Sequence, residues 1–322
     1  MEKKDLRIVY MGTPDFAVES LKALVEGGYN VVGVITMPDK PAGRGHKLQA
    51  SAVKEYAVSQ NLPLLQPEKL KDEAFLEALR AWKADLQIVV AFRMLPEVVW
   101  DMPRFGTFNL HASLLPQYRG AAPINWAVIN GDKETGATTF FLTHEIDTGK
   151  IILQEKIAIG DDENVGSVHD RLMAMGGTLV TRTVDAILDG KVDAVDQSRF
   201  FKDESELRAA PKIFKDTCHI DWDKDTTSVY NLIRGMSPYP AAWSELVAPD
   251  GTVTGMKIFE VAKITEPHTL VPGSIRTDGK SKLEVAVKDG FIALKQVQLA
   301  GKKRMDIPSL LNGYKITEEY HF

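Results

Sequence analysis

Apolar and polar positions alternate in blocks along the first 190 residues. Short apolar runs rich in β-branched residues predict strands, and after the first of them apolar residues recur at helical spacing, as at Phe16, Leu21 and Leu24. The strands are expected at residues 6–11, 31–35 and 86–91. Thr13 and Pro14 stand where an N-cap and a first helical residue are expected. Strands that alternate with helices predict an α/β fold whose parallel sheet is covered on both faces.

The pattern changes after residue 190. Residues 191–210 lack periodicity and are expected to connect two domains, whereas residues 226–236 have the spacing of a helix. Short apolar runs then follow, separated by turn sequences that favour β-hairpins. These turn sequences are Pro249-Asp250-Gly251, Asp278-Gly279 and Asp289-Gly290. About four to six strands in this space predict a small β-barrel or sandwich.

Length and composition indicate a two-domain globular protein. The chain has 322 residues, of which 44% are hydrophobic and 26% charged, and ordinary domain sizes predict about two domains. Its single cysteine, Cys218, excludes a disulfide framework or a cysteine-based zinc site within the chain, and this indicates a cytoplasmic protein. No apolar run is long enough for a membrane helix, and the first residues lack the features of a signal peptide.

The net charge of −5 argues against a protein that coats nucleic acid by electrostatic attraction alone. The charge is unevenly distributed, since residues 1–209 have a net charge of −6 and residues 210–322 one of +1. Two local clusters are positive. Lys40, Arg44 and Lys47 lie in a glycine-containing stretch that we interpret as a loop able to grip a phosphate backbone. The second cluster is Lys302, Lys303 and Arg304.

Polar side chains of three kinds alternate at Asn109, His111 and Ser113. On a strand, residues two apart share a face, so these side chains are expected to point in one direction. Ligands of open α/β sheets bind beyond the carboxyl ends of the strands, where such a group would lie. Asp147, in a predicted turn, would add a carboxylate, and an amide, an imidazole and a carboxylate suit acyl transfer. The residues alone leave open a purely structural histidine and an Asx turn.

Several other chemistries lack their sequence signals. Only Gly12 of a Gly-x-Gly-x-x-Gly cofactor fingerprint follows the first strand, and the chain has neither a P-loop nor the Gly-x-Ser-x-Gly elbow of serine hydrolases. His111, His144 and Asp147 have no diagnostic metal-ligand spacing, so no metal site is expected. Hydride transfer, phosphoryl transfer and hydrolysis at a serine are accordingly disfavoured.

Seven short motifs, spread over nearly the whole chain, resemble the sequences of one family. They are residues 11–17, 38–45, 109–116, 118–124, 146–149, 237–243 and 300–303. The family that they resemble is the methionyl-tRNA formyltransferases, which belong to the enzymes that use 10-formyltetrahydrofolate. The Asn-x-His and Asp-Thr-Gly elements are shared by all users of this donor, whereas the glycine-arginine loop and the C-terminal module point to the tRNA enzymes.

The resemblance implies a fold, a reaction and partners. The fold is a Rossmann-like parallel-sheet formyltransferase domain over residues 1–190, a linker over 191–210 and an OB-like tRNA-binding barrel over 211–322. The reaction moves the formyl group of the co-substrate 10-formyltetrahydrofolate to the α-amine of methionyl initiator tRNA, without a metal. The partners are therefore this tRNA and the folate, with no membrane. We expect a cytoplasmic monomer.

Site residues follow from the resemblance by motif. Asn109, His111 and Asp147 match the catalytic trio. Folate contacts are expected from Phe92, Arg93, Met94, Leu95, Ser113, Leu114, Leu115 and Pro116. Contacts to tRNA are expected from Lys40, Arg44, Lys47, Lys302, Lys303 and Arg304, with Arg44 matching the arginine of a mobile loop that enters the acceptor stem.

One motif departs from the family pattern. Many members have Ala-Tyr-Gly where this chain has Ala91-Phe92-Arg93-Met94-Leu95, and this sequence resembles glycinamide ribonucleotide formyltransferase, where the backbone of the segment contacts the pteridine. An alternative function is thus formyl transfer to glycinamide ribonucleotide or to a sugar amine. A second alternative, from another class, is a non-catalytic RNA-binding module built on the C-terminal barrel.

Overall fold

The structure, a computed structural model, describes residues 1–322. The chain forms two compact units, each made of several segments. The first unit contains residues 1–123, 134–157 and 169–209, and the second contains residues 124–133, 158–168 and 210–322. Two short segments that lie early in the chain therefore pack with its C-terminal part. No helix of either unit is long and apolar enough to cross a membrane.

Strands and helices alternate along residues 1–210, as the apolar pattern predicts. The strands are β1 (Ile8–Gly12), β2 (Val31–Ile35), β3 (Lys40–Ala42), β4 (Lys47–Gln49), β5 (Leu64–Leu65), β6 (Leu86–Val90), β7 (Thr107–His111), β8 (Arg119–Gly120), β9 (Glu134–Phe141), β10 (Ile151–Ala158) and β11 (Ala209–Ala210). The helices are α1 (Asp15–Glu26), α2 (Ala52–Ser59), α3 (Glu73–Ala81), α4 (Glu97–Trp100), α5 (Pro123–Ile129) and α6 (Val165–Leu188). The predicted strands at 6–11, 31–35 and 86–91 are confirmed to within two residues.

A seven-stranded sheet organises the first unit, in the order β10-β9-β7-β6-β1-β2-β5. Five neighbouring strands of this sheet are parallel, namely β5, β2, β1, β6 and β7. Strand β9 runs antiparallel to β7. Every residue of β1 and β6 is buried, which is expected of strands covered on both faces. After β1 the chain extends the sheet first to one side, through β2 and β5, and then to the other, through β6 and β7. The boundary between β1 and β6 is therefore the topological switch point, where α/β folds bind ligands.

The start of α1 differs from the prediction that Thr13 caps it. The helix begins at Asp15, Pro14 is the N-cap, and no side chain caps the helix. The Thr13 hydroxyl is instead buried without a hydrogen-bond partner. Asp15 accepts a hydrogen bond from the backbone N–H of Phe16, so a residue inside the helix satisfies one of its free donors.

Residues 191–209 belong to the first unit and are bonded to the rest of it. Val195 forms a backbone bridge with Ile151, and the N–H of Tyr118 donates to the carbonyl oxygen of Arg208 at 2.6 Å. Between these two ties lies a 3-10 turn, Gln197–Phe200, which Asp196 caps by accepting from the N–H of Ser198. We call residues 191–209 the connector.

The C-terminal part of the chain folds as an antiparallel sheet with two helices. Its elements are α7 (Thr226–Met236), β12 (Ala242–Val247), β13 (Val253–Thr265), β14 (Ile275–Thr277), β15 (Leu283–Val287), β16 (Gly290–Leu299), β17 (Met305–Asp306) and α8 (Ile307–Gly313). The predicted helix at 226–236 is confirmed, and each of the three predicted hairpin turns joins two adjacent strands. The six-stranded antiparallel sheet confirms the prediction of a small C-terminal β-barrel domain.

The last residues of the chain connect the two edges of this sheet. His321 bridges Val247 at the end of β12 and Ser274 just before β14, and the N–H of Phe322 donates to the carbonyl oxygen of Gly273. Gly273 has a φ of +91°, and a Cβ there would overlap the carbonyl oxygen of Phe322. Glycine is therefore required for the chain end to close the gap between the edge strands.

Candidate active site

The amide and imidazole that the sequence singled out lie at the carboxyl end of β7. Asn109 and His111 are two residues apart on this strand and share one face, as predicted. Asn109 pairs in register with Val89 of β6 and with Phe140 of β9, so it lies in the middle of the sheet. Its side chain is half-buried, whereas His111 is buried.

The imidazole of His111 is held in one orientation. Nε2 lies 2.7 Å from the carbonyl oxygen of Tyr118. A carbonyl oxygen can only accept, so Nε2 carries the hydrogen. Nδ1 faces the carboxylate of Asp147, whose Oδ2 is 3.8 Å away. The geometry therefore leaves Nδ1, rather than Nε2, as the ring nitrogen open to proton exchange beside Asp147.

The Asp147 carboxylate is held by a backbone donor. Its Oδ2 accepts a hydrogen bond from the N–H of Gly120 at 2.9 Å. The carbonyl oxygens of Asp147 and Gly149 both accept from Nε2 of Gln197 at 2.8 Å. A Cβ at Gly149 would overlap the carbonyl oxygen of Phe141, so only glycine allows the turn to approach β9 this closely. The turn that the sequence predicted at Asp147 thus serves to present its carboxylate to His111.

Three non-glycine residues around His111 have left-handed backbone conformations. They are Ala91 after β6, Tyr118 before β8 and Asp147, with φ values of 49°, 61° and 58°. Such conformations cost of order 1 kcal/mol each and persist where surrounding contacts impose them. Their concentration at the ends of neighbouring segments supports a functional site here.

The segment predicted to bind the pteridine leaves the sheet directly after β6. Phe92 and Arg93 are half-buried, Met94 is exposed and Leu95 is buried in the core. The Arg93 guanidinium donates to the carbonyl oxygens of Pro67 and Glu68, while its buried Nε has no hydrogen-bond partner. Burial lowers the pKa of Arg93. Arg93 therefore anchors a neighbouring loop.

The second predicted folate segment differs in part from expectation. Strand β7 ends at His111, so Ser113 does not continue the face shared by Asn109 and His111. The Ser113 hydroxyl is buried and donates to the carbonyl oxygen of Gln117, which is a turn contact. Leu115 packs in a core cluster with Phe140. Ser113, Leu115 and Pro116 are buried and Leu114 is half-buried, so any ligand contact from this segment comes mainly from its backbone.

The first basic cluster lies on a short hairpin rather than on an irregular loop. Lys40 begins β3 at the base of the hairpin, Lys47 begins β4 next to the turn, and Arg44 is in the turn between the two strands. All three side chains are exposed. At the base of the hairpin, Asp39 accepts from Lys54 and Gln66, and these bonds hold the pKa of Asp39 below its usual range. The hairpin thus presents three cations from an anchored base.

The second basic cluster connects β16 to β17. Lys302, Lys303 and Arg304 are exposed. Arg304 lies 3.2 Å from Glu260 and stacks over the ring of Phe259, so part of its charge is already paired. Lys302 and Lys303 are the more available cations of this cluster.

One buried residue beside the trio has no signal in the sequence pattern. Gln197 lies in the non-periodic connector, yet it is 1% exposed and bonds both the Asp147 turn and Arg119. Arg119 and Gly120 lie within one of the motifs that carry the family resemblance. The motif did not indicate that these two residues contact Gln197 and Asp147. No group of three or more His, Cys, Asp or Glu side chains is arranged to hold a metal ion. His144, a conceivable metal ligand, instead lies 3.5 Å from Glu97.

Comparison with known sequences bears on what this arrangement does. A family described as formyl transferase matches residues 6–184, and its C-terminal domain matches residues 212–315. The chain belongs to the formyl transferase family. It is 70% identical to a methionyl-tRNA formyltransferase of Parabacteroides distasonis, over 99% of both chains. It is 68% identical to one of Bacteroides fragilis, over 99% of this chain and 98% of that one.

The fold of this formyl transferase is also similar to that of a solved structure. An N-formyltransferase from Helicobacter canadensis, in complex with folinic acid and dTDP-3-aminofucose, matches with a TM-score of 0.66 and 18% identity. The match covers 91% of this chain and all of that one. At this identity the likeness supports the shared architecture and nothing finer.

Proposed function

We propose that this protein transfers the formyl group of 10-formyltetrahydrofolate to the α-amine of methionyl initiator tRNA. The observation that carries the proposal is the arrangement of Asn109, His111 and Asp147 at the carboxyl edge of the sheet, in a chain that matches methionyl-tRNA formyltransferases over nearly its full length. An amide, an imidazole and a carboxylate together supply the donors and the proton acceptor that acyl transfer to an amine needs.

The residues at the switch point fit a folate. Residues 91–96 lie outside regular structure after β6, so their backbone donors and acceptors are not used by the sheet. A pteridine needs such a planar set of hydrogen-bond partners, and Phe92 and Met94 offer apolar surface beside it. The buried, unpartnered Nε of Arg93 adds an unsatisfied donor to the same segment. We assign Phe92–Leu95 and Ser113–Pro116 to the folate site.

The chain's own residues account for the proton transfer. An α-amine with a pKa of about 7.7–8.0 is largely protonated at pH 7 and must lose a proton to attack. Oδ2 of Asp147 and Nδ1 of His111, 3.8 Å apart, form the pair that receives it. When bound, 10-formyltetrahydrofolate supplies the carbon that is attacked and the nitrogen that leaves. Asn109 donates to the formyl oxygen as it gains negative charge, and protonated His111 returns the proton to the leaving nitrogen.

The two basic clusters account for tRNA binding in this proposal. Lys40, Arg44 and Lys47 present positive charge from the β3–β4 hairpin, and Lys302 to Arg304 present it from the C-terminal domain. We assign catalysis to residues 1–190, a linking role to 191–210 and tRNA binding to 211–322. We further propose that the protein acts in the cytoplasm as a monomer.

A comparison of amine acceptors tests the proposed function. Purified protein is given 10-formyltetrahydrofolate with methionyl-tRNA, with glycinamide ribonucleotide or with an amino sugar nucleotide, and the formylated product is measured. We expect methionyl-tRNA to be formylated with by far the highest kcat/KM. Preference for glycinamide ribonucleotide would instead support the alternative suggested by Arg93-Met94-Leu95. RNA binding without turnover of the donor would support a non-catalytic module.

A further inference from the structure

The buried side chain of Gln197 closes a ring of hydrogen bonds around the catalytic turn. Its Nε2 donates to the carbonyl oxygens of Asp147 and Gly149, both at 2.8 Å. Its Oε1 accepts from Nε and Nη2 of Arg119, at 3.1 and 2.8 Å. The next residue, Gly120, donates its N–H to Oδ2 of Asp147. We propose that Gln197 is a positioning residue that fixes the Asp147 carboxylate against His111 for proton transfer.

An uncharged amide is the side chain that these four partners require. The two carbonyl oxygens need donors, and the Arg119 guanidinium needs an acceptor, so the orientation of the Gln197 amide is determined by its neighbours. A carboxylate would keep the contact with Arg119 but would turn an oxygen toward two carbonyl oxygens. An apolar side chain of similar size would deprive two backbone carbonyl oxygens and the Arg119 guanidinium of their Gln197 partner.

The Asp147 turn needs an external support. Asp147 has a φ of 58°, which a non-glycine residue adopts only under constraint. Its neighbours Glu145 and Ile146 are exposed and do not pack the turn in place. The ring through Gln197 and Arg119 ties the backbone of the turn to the segment whose Gly120 N–H holds its carboxylate. The separation of Asp147 from His111 therefore depends on a residue 50 positions away in the chain.

This inference rests on the proposed function, because it assigns a role in that reaction. Wild-type formylation of methionyl-tRNA is measured first, and its absence would refute the proposed function itself. With an active wild type, the test compares Gln197→Glu with Gln117→Leu. Gln117 also bonds to the connector, at Glu206 and Arg208, and neither of these hydrogen bonds involves the Asp147 turn.

The readouts separate positioning from a merely structural role. We expect Gln197→Glu to lower kcat at least about tenfold, since small misplacements of catalytic groups have effects of this size. We expect the KM for methionyl-tRNA and the KM for 10-formyltetrahydrofolate each to change less than about threefold, because the interaction acts on the transition state. The added negative charge favours the protonated form of the neighbouring pair, so the acid limb of the kcat–pH profile moves to higher pH. In the absence of substrates, backbone hydrogen exchange in residues 143–149 should be faster in Gln197→Glu than in the wild type.

Gln117→Leu should leave kcat, its pH profile and this exchange close to wild type. In an Asp147→Asn background, Gln197→Glu should cause little further loss, because both changes act on one carboxylate. If Gln197→Glu does not fold, Arg119→Lys tests the ring from its other side, and it should lower kcat and increase hydrogen exchange in residues 143–149 without a change of charge. Wild-type kcat in the folded variant, or equal losses in Gln197→Glu and Gln117→Leu with an unchanged pH profile, would overturn the inference.

Discussion

Nε2 of His111 faces the carbonyl oxygen of Tyr118 at 2.7 Å, and this contact determines which nitrogen of the ring carries the proton. In the neutral imidazole the hydrogen must be on Nε2, since a carbonyl oxygen offers no proton to share. The lone pair of Nδ1 then points to the side of Asp147. The ring can take up a second proton only at Nδ1, on the side of the Asp147 carboxylate.

We therefore predict the Nε2–H tautomer for neutral His111. The imidazole ¹⁵N chemical shifts of the labelled protein at high pH distinguish the two tautomers directly. The signal is assigned by its loss in His111→Asn. Finding the hydrogen on Nδ1 in the neutral ring would contradict the geometry and would remove Nδ1 as the proton acceptor in the proposed mechanism.

Asn109→Ala should remove a donor to the oxygen that becomes negative. Loss of one such donor typically reduces kcat by about 10²–10³, or about 3–4 kcal/mol of transition-state stabilisation. The KM for methionyl-tRNA should change little, because the interaction strengthens only as charge develops. Asn30→Ala, at a half-buried asparagine of the same unit, is the matched control. Near wild-type turnover in Asn109→Ala would exclude Asn109 as the donor.

Sequence patterns predicted those parts of the site that lie on regular structure. Asn109 and His111 share a face because the period of a strand is two, as expected for these residues on a strand. Ser113 fails the same rule because the strand ends at His111 and the chain turns, with the Ser113 hydroxyl bonding the carbonyl oxygen of Gln117. The end of a strand depends on which neighbour it pairs with, and this is not a local property.

Residues that act through distant partners escaped prediction for the same reason. Gln197 is one polar residue in a connector without periodicity, and its partners lie 48 to 78 residues away in the chain. Likewise, residues 158–168 pack with the C-terminal part of the chain, where the buried Arg234 donates to the carbonyl oxygens of Gly160 and Glu163. Such contacts are visible only once the tertiary structure brings the segments together.

Gly149→Ala should destabilise the first unit and lower activity together. The added Cβ would overlap the backbone carbonyl oxygen of Phe141, so either β9 or the Asp147 turn must move. Overpacking of this kind costs about 1–3 kcal/mol, which a urea unfolding curve resolves. Gly255→Ala is the control, since a Cβ at that strand residue meets no atom within 4 Å and its φ is not positive. Equal stability of the two variants would show that the turn relaxes freely.

Arg44→Ala should weaken tRNA binding without affecting the chemistry. Arg44 is exposed at the turn of the β3–β4 hairpin, away from the His111–Asp147 pair in the chain, so kcat with saturating tRNA should stay close to wild type. The KM for methionyl-tRNA should rise. The slope of log KM against log salt concentration should decrease by about one, the amount expected when one phosphate contact is lost. Arg80→Ala, which breaks a surface pair with Glu73, controls for loss of positive charge. An unchanged salt slope would contradict a phosphate contact by Arg44.

Because of Asp278, the free energy of unfolding of the C-terminal domain should decrease as the pH falls into the acid range. Its carboxylate accepts from the backbone N–H groups of Lys280, Ser281 and Lys282, and these bonds hold the pKa of Asp278 well below its usual range. A group whose pKa is lower in the folded state contributes stability above its unfolded pKa of about 3.9, and this contribution is lost as the pH falls further. Asp278→Asn should therefore lower the free energy of unfolding at pH 7.

The pH dependence of this difference is the decisive measurement. Urea unfolding of wild type and Asp278→Asn at pH 7, 5, 4 and 3 should give a constant difference down to about pH 4 and a shrinking one below it, as the wild-type carboxylate takes up a proton. Asp189→Asn, at an exposed aspartate after α6, controls for the loss of a negative charge from the surface. A difference between wild type and Asp278→Asn that stays constant to pH 3 would mean that the charge of the carboxylate, as distinct from its shape, contributes nothing to the hairpin.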